Sequence, residues 1–184
     1  MNREWLSSEL AIYASHYTEE IKYTSRFLDL LFFEDCYHRS RLSGHITASA
    51  WTLTSDYSHV AMLHHKKLDR WLQPGGHADG NENVLEVAKK ELREETGVSD
   101  IKVVGRSFYD LDIHSIPERK GIQEHEHFDV RFMFIANNPE QLKKNNESFE
   151  VAWIPLAELD NLVDREASIM RMKHKTLALH DLHR

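Results

Sequence analysis

A glycine-rich turn that leads directly into an acidic helix limits what this chain can fold into more than any other feature. The turn is the run Pro-Gly-Gly at residues 74–76, and its adjacent glycines permit backbone angles that other residues avoid. Asp79 and Asn81 are candidate N-caps, because their short side chains can accept hydrogen bonds from the first helical N–H groups. Gly97 is typical of the position just past a helix. We therefore expect residues 75–98 to form a turn and one helix.

The predicted helix has one apolar face and one acidic face. Glu91, Glu94 and Glu95 follow the spacing i, i+3, i+4, so their carboxylates converge on one exposed side, where like charges repel. Two interpretations fit: a solvated acidic surface balanced by neighbouring basic residues, or a site for a hard cation such as Mg²⁺ or Mn²⁺. The predicted core residues are Leu85, Ala88 and Leu92, and the neighbouring basic residues are Lys89, Lys90 and Arg93.

The turn and helix together resemble the Nudix box, G-x5-E-x7-R-E-U-x-E-E-x-G-U, in which U is a bulky aliphatic residue. One fixed position differs, because Lys90 stands where the family has Arg. Lysine keeps the charge but lacks the planar fork that holds a carboxylate at two points. The resemblance identifies the chain as a member of the Nudix hydrolases over about residues 45–160. The matching positions are Gly76, Glu82, Glu91, Leu92, Glu94, Glu95, Gly97 and Val98.

The resemblance implies a chemistry. Glu91, Glu94 and Glu95 become ligands of Mg²⁺ or Mn²⁺, the backbone carbonyl of Gly76 joins them, and Glu82 has a structural role. The expected reaction is hydrolysis of a phosphoanhydride bond in a nucleoside diphosphate linked to another group, with water attacking phosphorus and the cations neutralising phosphate charge.

Several residues are predicted to assist this reaction. Glu94 and Glu95 are the first candidates for handling metal and water, and family members often take the catalytic base from a loop outside the box. Among the loop carboxylates Glu124, Glu126, Glu147 and Glu150, we favour Glu126 and Glu147, with a solvated carboxylate as the alternative for each. The predicted substrate-binding residues are Arg70, His77, His127 and Arg131, against the alternative of surface charge or packing.

Thirteen histidines raise the question of a zinc site. His125 and His127 flank Glu126 at strand spacing and can share one face, whereas His64 and His65 would point to opposite faces. Zinc needs three or four ligands, and no paired cysteine supplies them. We therefore interpret the histidines as surface and loop residues, and expect the segment around Glu126 to contact substrate or assist proton transfer.

Composition limits the possible partners and location. A net charge of −7 argues against a broad nucleic-acid-binding surface, although bound metal ions can still attract phosphates. The single cysteine, Cys36, excludes an internal disulfide, is predicted to be a small buried residue and fits a reducing cytoplasm. The first residues carry no apolar h-region, and no apolar run approaches membrane-spanning length.

Hydrophobic periodicity predicts an α/β (α+β) fold with a mixed sheet, preceded by a helical extension. The resemblance implies that this fold is the Nudix-type α/β/α sandwich. Residues 1–40 form the extension, with a break near residues 15–18, and residues 41–184 form the Nudix domain. The extension is expected to pack on the domain or to form a homodimer contact. Strands are predicted at 46–54, 59–65, 101–113, 128–136 and 149–154, and a final helix at 164–183.

Two other functions use the same motif. A catalytically silent nucleotide sensor would keep the fold, but it would not need all three glutamates. An RNA-end pyrophosphohydrolase would run the same chemistry on a large polyanion, which the net charge of −7 does not favour. A small-molecule nucleotide is therefore the expected substrate, with a sugar or choline conjugate ahead of a nucleoside triphosphate.

Overall fold

The computed structural model describes residues 1–119 and 121–182. Its helices are α1 (Arg3–His16), α2 (Ile21–Leu31), α3 (Val84–Thr96), α4 (Leu159–Leu162) and α5 (Ala167–Leu182). Its strands are β1 (His45–Leu53), β2 (His59–His65), β3 (Arg70–Leu72), β4 (Gly75–His77), β5 (Ile101–Val103), β6 (Asp110–Ile116), β7 (His125–Ala136) and β8 (Ser148–Pro155). The fold is α+β with a mixed sheet and an N-terminal helical part, as predicted.

Most predicted elements are present, with local corrections. The single strand predicted over 101–113 is wrong, because Gly105 adopts a φ of +84° and separates β5 from β6. The final helix begins only at Ala167, since Asp164 and Arg165 have φ angles of 50° and 53°. Position 183, its predicted end, lies outside the described residues. The short strands β3 and β4 were not predicted.

Residue contacts divide the chain into two compact units. Unit 1 comprises residues 1–49, 75–88 and 105–132, and unit 2 comprises residues 50–74, 89–104 and 133–184. Each of the elements β1, α3 and β7 therefore contributes residues to both units. The division into an extension at 1–40 and a domain at 41–184 stays a prediction.

Unit 1 contains the N-terminal helices and two pairs of strands. β4 runs antiparallel to β1, with Thr47 opposite His77, and β6 runs antiparallel to β7, with His114 opposite His127. Phe108 contacts the rings of Trp5 and Tyr13 on α1 at centroid distances of 6.4 and 5.0 Å. On α2, Phe27 meets Phe128 edge to face at 5.2 Å. The N-terminal helices thus pack within their own chain.

Buried residues of this unit explain two sequence features. The break predicted between the first two helices is confirmed, with a short 3-10 turn at Thr18–Glu20. Cys36 is fully buried, and desolvation raises the pKa of its thiol to about 11, so it is protonated at neutral pH. The prediction of a small buried residue at this position is confirmed.

Unit 2 is built around the central strand β2. β2 pairs with β3 and β8, and its first residues form the predicted hairpin with β1, where Leu53 lies opposite Val60. The fully buried Trp51 donates its indole N–H to the hydroxyl of Thr176 on α5 at 2.9 Å. This hydrogen bond satisfies a polar group that would otherwise be costly to bury. No helix among residues 1–119 and 121–182 is long and apolar enough to cross a membrane.

Candidate active site

Helix α3 begins and ends with identifiable caps. The side chain of Asn83 accepts a hydrogen bond from the N–H of Glu86 at 3.4 Å, so Asn83 occupies the N-cap position. The predicted caps were two and four residues too early: Asn81 accepts from the N–H of Asn83, and Asp79 has a φ of 49° and pairs with Arg39. At the other end, Gly97 has a φ of +75°, which confirms the predicted stop.

The buried side of α3 differs by one residue from the prediction. Ala88 and Leu92 are fully buried as expected, whereas Leu85 is only half-buried. Val84 and Val87 take its place in the core, since they continue the same helical stripe. The stripe fixes the rotation of the helix about its axis and so determines the direction in which the glutamates point.

The acidic face of α3 combines carboxylates of different exposure. Glu95 is 8% exposed, whereas the side chains of Glu91 and Glu94 are 15% and 50% exposed. Lys90, which stands at the arginine position of the motif, brings its Nζ to 3.1 Å from Glu91 and 3.5 Å from Glu94. The hydrogen bond to Glu91 raises the pKa of Lys90. The lysine therefore contacts two carboxylates as a point charge, without the two-point grip of a guanidinium.

The other two residues of the predicted motif lie in unit 1. Glu82 accepts the backbone N–H of Arg3 at 3.0 Å and forms an ion pair with its Nε at 3.4 Å. These contacts suit the structural role implied by the resemblance. Gly76 lies on β4 opposite Ala48. Next to it, a Cβ on Gly75 would meet that of Ser49 at 2.4 Å, so β4 needs a glycine at position 75.

The two favoured candidates for the catalytic base have different surroundings. Glu126, on β7, forms an ion pair with Arg26 of α2. Glu147 is exposed, and only its backbone forms hydrogen bonds within the described part of the chain, through contacts with Asn145 and Lys66. The carboxylate of Glu126 is therefore occupied by a basic partner, whereas that of Glu147 is exposed to solvent and accessible to a water molecule.

Arg70 borders a cleft in unit 2. The cleft has a volume of about 460 Å³ and is also lined by Trp71, His64 and Asp164. The ring of Trp71 stacks on His64 at a centroid distance of 5.4 Å. An aromatic pair beside an arginine can hold a planar group with an attached anion. Binding of substrate by Arg70 stays a prediction.

Arg131 is the centre of a buried ion cluster. Its side chain is 3% exposed and contacts Asp110, Asp112 and Asp129 at 3.2, 3.1 and 2.9 Å. The hydroxyls of Thr47 and Ser49 donate to Asp129 as well. These contacts are sufficient to explain why the guanidinium is buried, and the explanation does not require a bound ligand. Its predicted role in substrate binding stays a prediction, and its described contacts are those of a structural ion cluster.

The remaining predicted residues, His77 and His127, belong to a histidine cluster in unit 1. The ring of His127 lies 4.9 Å from those of His45 and His77, 5.2 Å from His125 and 5.5 Å from His114. The prediction that His125 and His127 share one face is therefore confirmed. Burial lowers the pKa of His77 to about 4 and that of His127 to about 2, and it also lowers the pKa of His45.

Sequence reasoning missed His45 and His114. They enter the cluster through strand pairing between distant segments: β1 with β4, and β6 with β7. No pattern in the neighbouring sequence identifies either residue as part of a cluster. The one available signal was the strand spacing of the pair at 125 and 127, which required partners that only the register of β1, β4 and β6 supplies.

Comparison with known proteins agrees with this architecture. The NUDIX domain family matches residues 44–172. A probable DHNTP pyrophosphohydrolase of Lactococcus lactis subsp. cremoris (strain MG1363) is 26% identical over 140 residues, which are 74% of this chain and 78% of that protein.

Solved structures give the same result for the fold. An Ap4A hydrolase of C. elegans in a binary complex has a TM-score of 0.58 at 18% identity, covering 73% of this chain and 96% of that one. The dihydroneopterin triphosphate pyrophosphohydrolase of E. coli has a TM-score of 0.58 at 13% identity, covering 72% and 95%. At such identities the likeness shows the fold alone.

Proposed function

Since this chain belongs to the Nudix family of hydrolases, we propose that it hydrolyses a phosphoanhydride bond in a nucleoside diphosphate linked to another group. The observation that carries the proposal is the acidic face of α3, where Glu91, Glu94 and Glu95 are present together. A protein that only sensed a nucleotide would not need all three glutamates on one helix, two of them in contact with Lys90.

The donor set of this face suits Mg²⁺ or Mn²⁺. Carboxylate oxygens are hard ligands, and Mg²⁺ commonly binds one or two of them together with substrate phosphates and water. Glu91, Glu94 and Glu95 would hold the ion. When bound, the ion would neutralise phosphate charge and orient the attacking water.

Individual side chains of the protein would then have separate roles in the hydrolysis. The mostly buried Glu95 is held in place by the core-facing side of α3, which favours a positioning task. Glu94 is half exposed and can reorient toward water. Glu147, in the same unit as these glutamates, would accept the proton of the attacking water, with Glu126 as the alternative. Arg70, which borders the cleft in unit 2, is the proposed contact for substrate. Substrate binding by His77 and His127 stays a prediction from the sequence.

The relatives guide the choice of substrates. One is named for the pyrophosphohydrolysis of DHNTP and another for Ap4A hydrolysis, so both compounds belong in the panel beside nucleoside diphosphate sugars, choline conjugates and nucleoside triphosphates. All share a phosphoanhydride attached to an organic group. A small nucleotide as partner, a cytoplasmic location and a homodimer stay predictions from the sequence.

The experiment is Mg²⁺- or Mn²⁺-dependent turnover of this panel, with products identified by mass. We expect the wild type to cleave one or more anhydrides, and Glu95→Gln to lose at least about a hundredfold in kcat, the usual scale for a group that acts in the transition state. Glu86→Gln is the matched control, because Glu86 lies on the same helix outside the motif and is exposed.

Two results would count against the proposal. Equal loss in the Glu95 and Glu86 variants would point to a general effect on the helix. Binding of a panel compound without turnover, seen as a raised melting temperature, would favour the sensor function. Glu147→Gln and Glu126→Gln then separate the candidate bases, since removal of the base flattens the acidic limb of the profile of kcat against pH.

A further inference from the structure

The histidine cluster of unit 1 is not used by the proposed hydrolysis at α3. Its centre consists of His45, His77 and His127, whose rings lie 4.9 to 5.2 Å apart in all three pairs. Each of the three offers a ring nitrogen, and these three atoms lie within 4.8 Å of one another. The three residues come from β1, β4 and β7, so a scaffold of strands holds them.

Two nitrogens of this cluster are buried without a partner. The Nε2 atoms of His45 and His127 are inaccessible to solvent and have no hydrogen-bond partner among the described residues. His45 as a whole is 1% exposed. A buried polar atom without a partner destabilises the fold, so two such atoms in one cluster call for an explanation. A ligand that binds between the rings would supply it.

The tautomer of His45 leaves a lone pair available to such a ligand. Its Nδ1 lies 3.1 Å from the carbonyl oxygen of Arg41, and a carbonyl only accepts hydrogen bonds. Nδ1 must therefore carry the proton, and Nε2 must carry the lone pair. A hydrogen bond from one imidazole nitrogen to a backbone carbonyl is the arrangement that orients histidines which bind metal through the other nitrogen.

The charges around the cluster do not oppose a cation. Desolvation lowers the pKa of each central ring, so the rings are neutral at pH 7 and their lone pairs are not blocked by protons. The charged groups that act on His77, Arg39 and Asp79, are paired with each other. A further carboxylate, Asp112, contacts His114 at 3.1 Å, and the ring of His114 in turn lies against that of His127.

From these observations we propose that His45, His77 and His127 form a binding site for a divalent transition-metal ion, of the chemical class of Zn²⁺. Three neutral imidazoles suit this class and do not suit Mg²⁺, which prefers oxygen. Nitrogens around a tetrahedral Zn²⁺ lie roughly 3.3 Å apart, as follows from bonds of about 2.0 Å. Small rotations of the rings from the present spacing would reach that value, and a fourth position would stay open.

The ligands of this site differ in chemistry from those of the acidic face of α3. Its ligands are nitrogen atoms on strands of unit 1, whereas Glu91, Glu94 and Glu95 lie on a helix segment of unit 2. The two sites can therefore be tested separately, with different metals and different variants. Failure of one test leaves the other proposal standing.

The test is a titration of the full chain with Co²⁺ in an excess of Mg²⁺, followed by displacement with Zn²⁺. Co²⁺ bound by nitrogen ligands in a site of low coordination number has visible absorption bands, so the readout does not depend on activity. We expect one equivalent of Co²⁺ to bind and one equivalent of Zn²⁺ to displace it. Melting temperature with and without Zn²⁺ gives a second readout, because an ion that binds only the folded chain stabilises it.

Variants assign the ligands. We expect His77→Ala and His127→Gln each to weaken Co²⁺ binding more than about a hundredfold, since loss of an outer-shell partner alone costs about 10–100-fold. His77 is half-buried, so its variant tests the site even if a change at the buried His45 prevents folding. His16→Ala, on the exposed surface of α1, is the matched control and should bind as the wild type does.

The remaining outcomes overturn the inference. Absence of the absorption bands in the folded wild type would do so, as would equal binding by the His77, His127 and His16 variants, which would mean adventitious binding by surface histidines. Loss of Co²⁺ binding in the triple variant Glu91→Gln, Glu94→Gln, Glu95→Gln would place the ion at α3 instead. Retention in that triple variant is the expected result.

Discussion

Lys90 illustrates at the scale of one residue how a departure from the family motif changes the acidic face. Its ammonium lies between the carboxylates of Glu91 and Glu94, at 3.1 and 3.5 Å. A metal ion at these carboxylates would compete with the ammonium for the same oxygens. We therefore expect the salt concentration and the metal concentration to change how strongly Lys90 neutralises these two carboxylates.

We predict that Lys90→Gln lowers the Mg²⁺ concentration for half-maximal activation severalfold and lowers kcat as well. Removal of the ammonium leaves the carboxylates free for the ion but less well oriented. Stability should change by less than about 1 kcal/mol, because the lysine is half exposed. Activity measured against Mg²⁺ concentration checks this, with Lys89→Gln as control for the loss of one positive charge on the same helix. Identical shifts in both variants would mean that only net charge matters.

Arg131 is the opposite case, because its charged side chain is buried inside the fold. We predict that Arg131→Met destabilises the protein by about 3–5 kcal/mol, since three buried aspartates lose their counter-charge. Urea unfolding measures the loss. Arg39→Met, which removes an exposed partner of Asp79, should cost less than about 1 kcal/mol. A raised KM with unchanged stability would instead support the predicted contact between Arg131 and substrate.

At the scale of elements, Gly97 controls how α3 ends. A Cβ at this position would meet the backbone oxygen of Gln141 at 3.0 Å, and φ is +75°. Gly105 has a similar φ of +84°, but a Cβ added there would meet no atom within 4 Å among the described residues. A comparison of substitutions at the two glycines can therefore separate the cost of backbone strain from the cost of a steric contact.

We predict that Gly97→Ala costs more than Gly105→Ala. Each substitution places a side chain in the left-handed region, which costs roughly 1–2 kcal/mol. At position 97 the close contact with a backbone atom adds to this cost. Thermal or urea unfolding of both variants measures the difference. Equal losses would show that the segment around Gln141 moves aside at little cost.

Local sequence signals explain how much of the fold could be predicted. α3, β1, β2 and β7 have clear periodicity or β-branched runs, and their approximate positions were predicted. β3 and β4 have three residues each, too few to show any period. The cap of α3 was misplaced because Asp79, Asn81 and Asn83 all have suitable side chains, and only the backbone geometry selects one of them.

The part of the site that is formed by residues close together in the sequence could be predicted. The glutamates of α3 follow from a motif of adjacent residues, so their place on one helix could be stated from the sequence. The expectation that all three are exposed is wrong, because Glu95 is buried. The histidine cluster depends on the register of strands that are far apart in the chain, with 77 opposite 47 and 127 opposite 114. No pattern within one segment carries that information, which explains why His45 and His114 were missed.

At the scale of the whole molecule, the N-terminal helices decide whether the first forty residues are dispensable. Leu6, Leu10 and Phe27 are fully buried, and Phe108 and Phe128 receive their aromatic neighbours from α1 and α2. Removal of the helices would expose an apolar surface on unit 1, with the loss of several well-packed side chains.

We predict that deletion of residues 1–40 lowers the melting temperature by at least about 10 °C or gives no folded product. Phe27→Ala, a milder change, should cost about 3–5 kcal/mol, which corresponds to roughly 6–20 °C in a chain of this size. Sedimentation of the wild type and of any folded truncated chain reports oligomeric state alongside. A truncated chain with unchanged melting temperature that shifts from dimer to monomer would assign the helices to a homodimer contact instead.

The division into two units has a consequence for inheritance. Each unit is assembled from three separate segments, so the chain passes from one unit to the other five times between residue 49 and residue 133. No single contiguous stretch of codons therefore encodes either unit. Neither unit can therefore be duplicated, lost or acquired through the transfer of one uninterrupted gene segment.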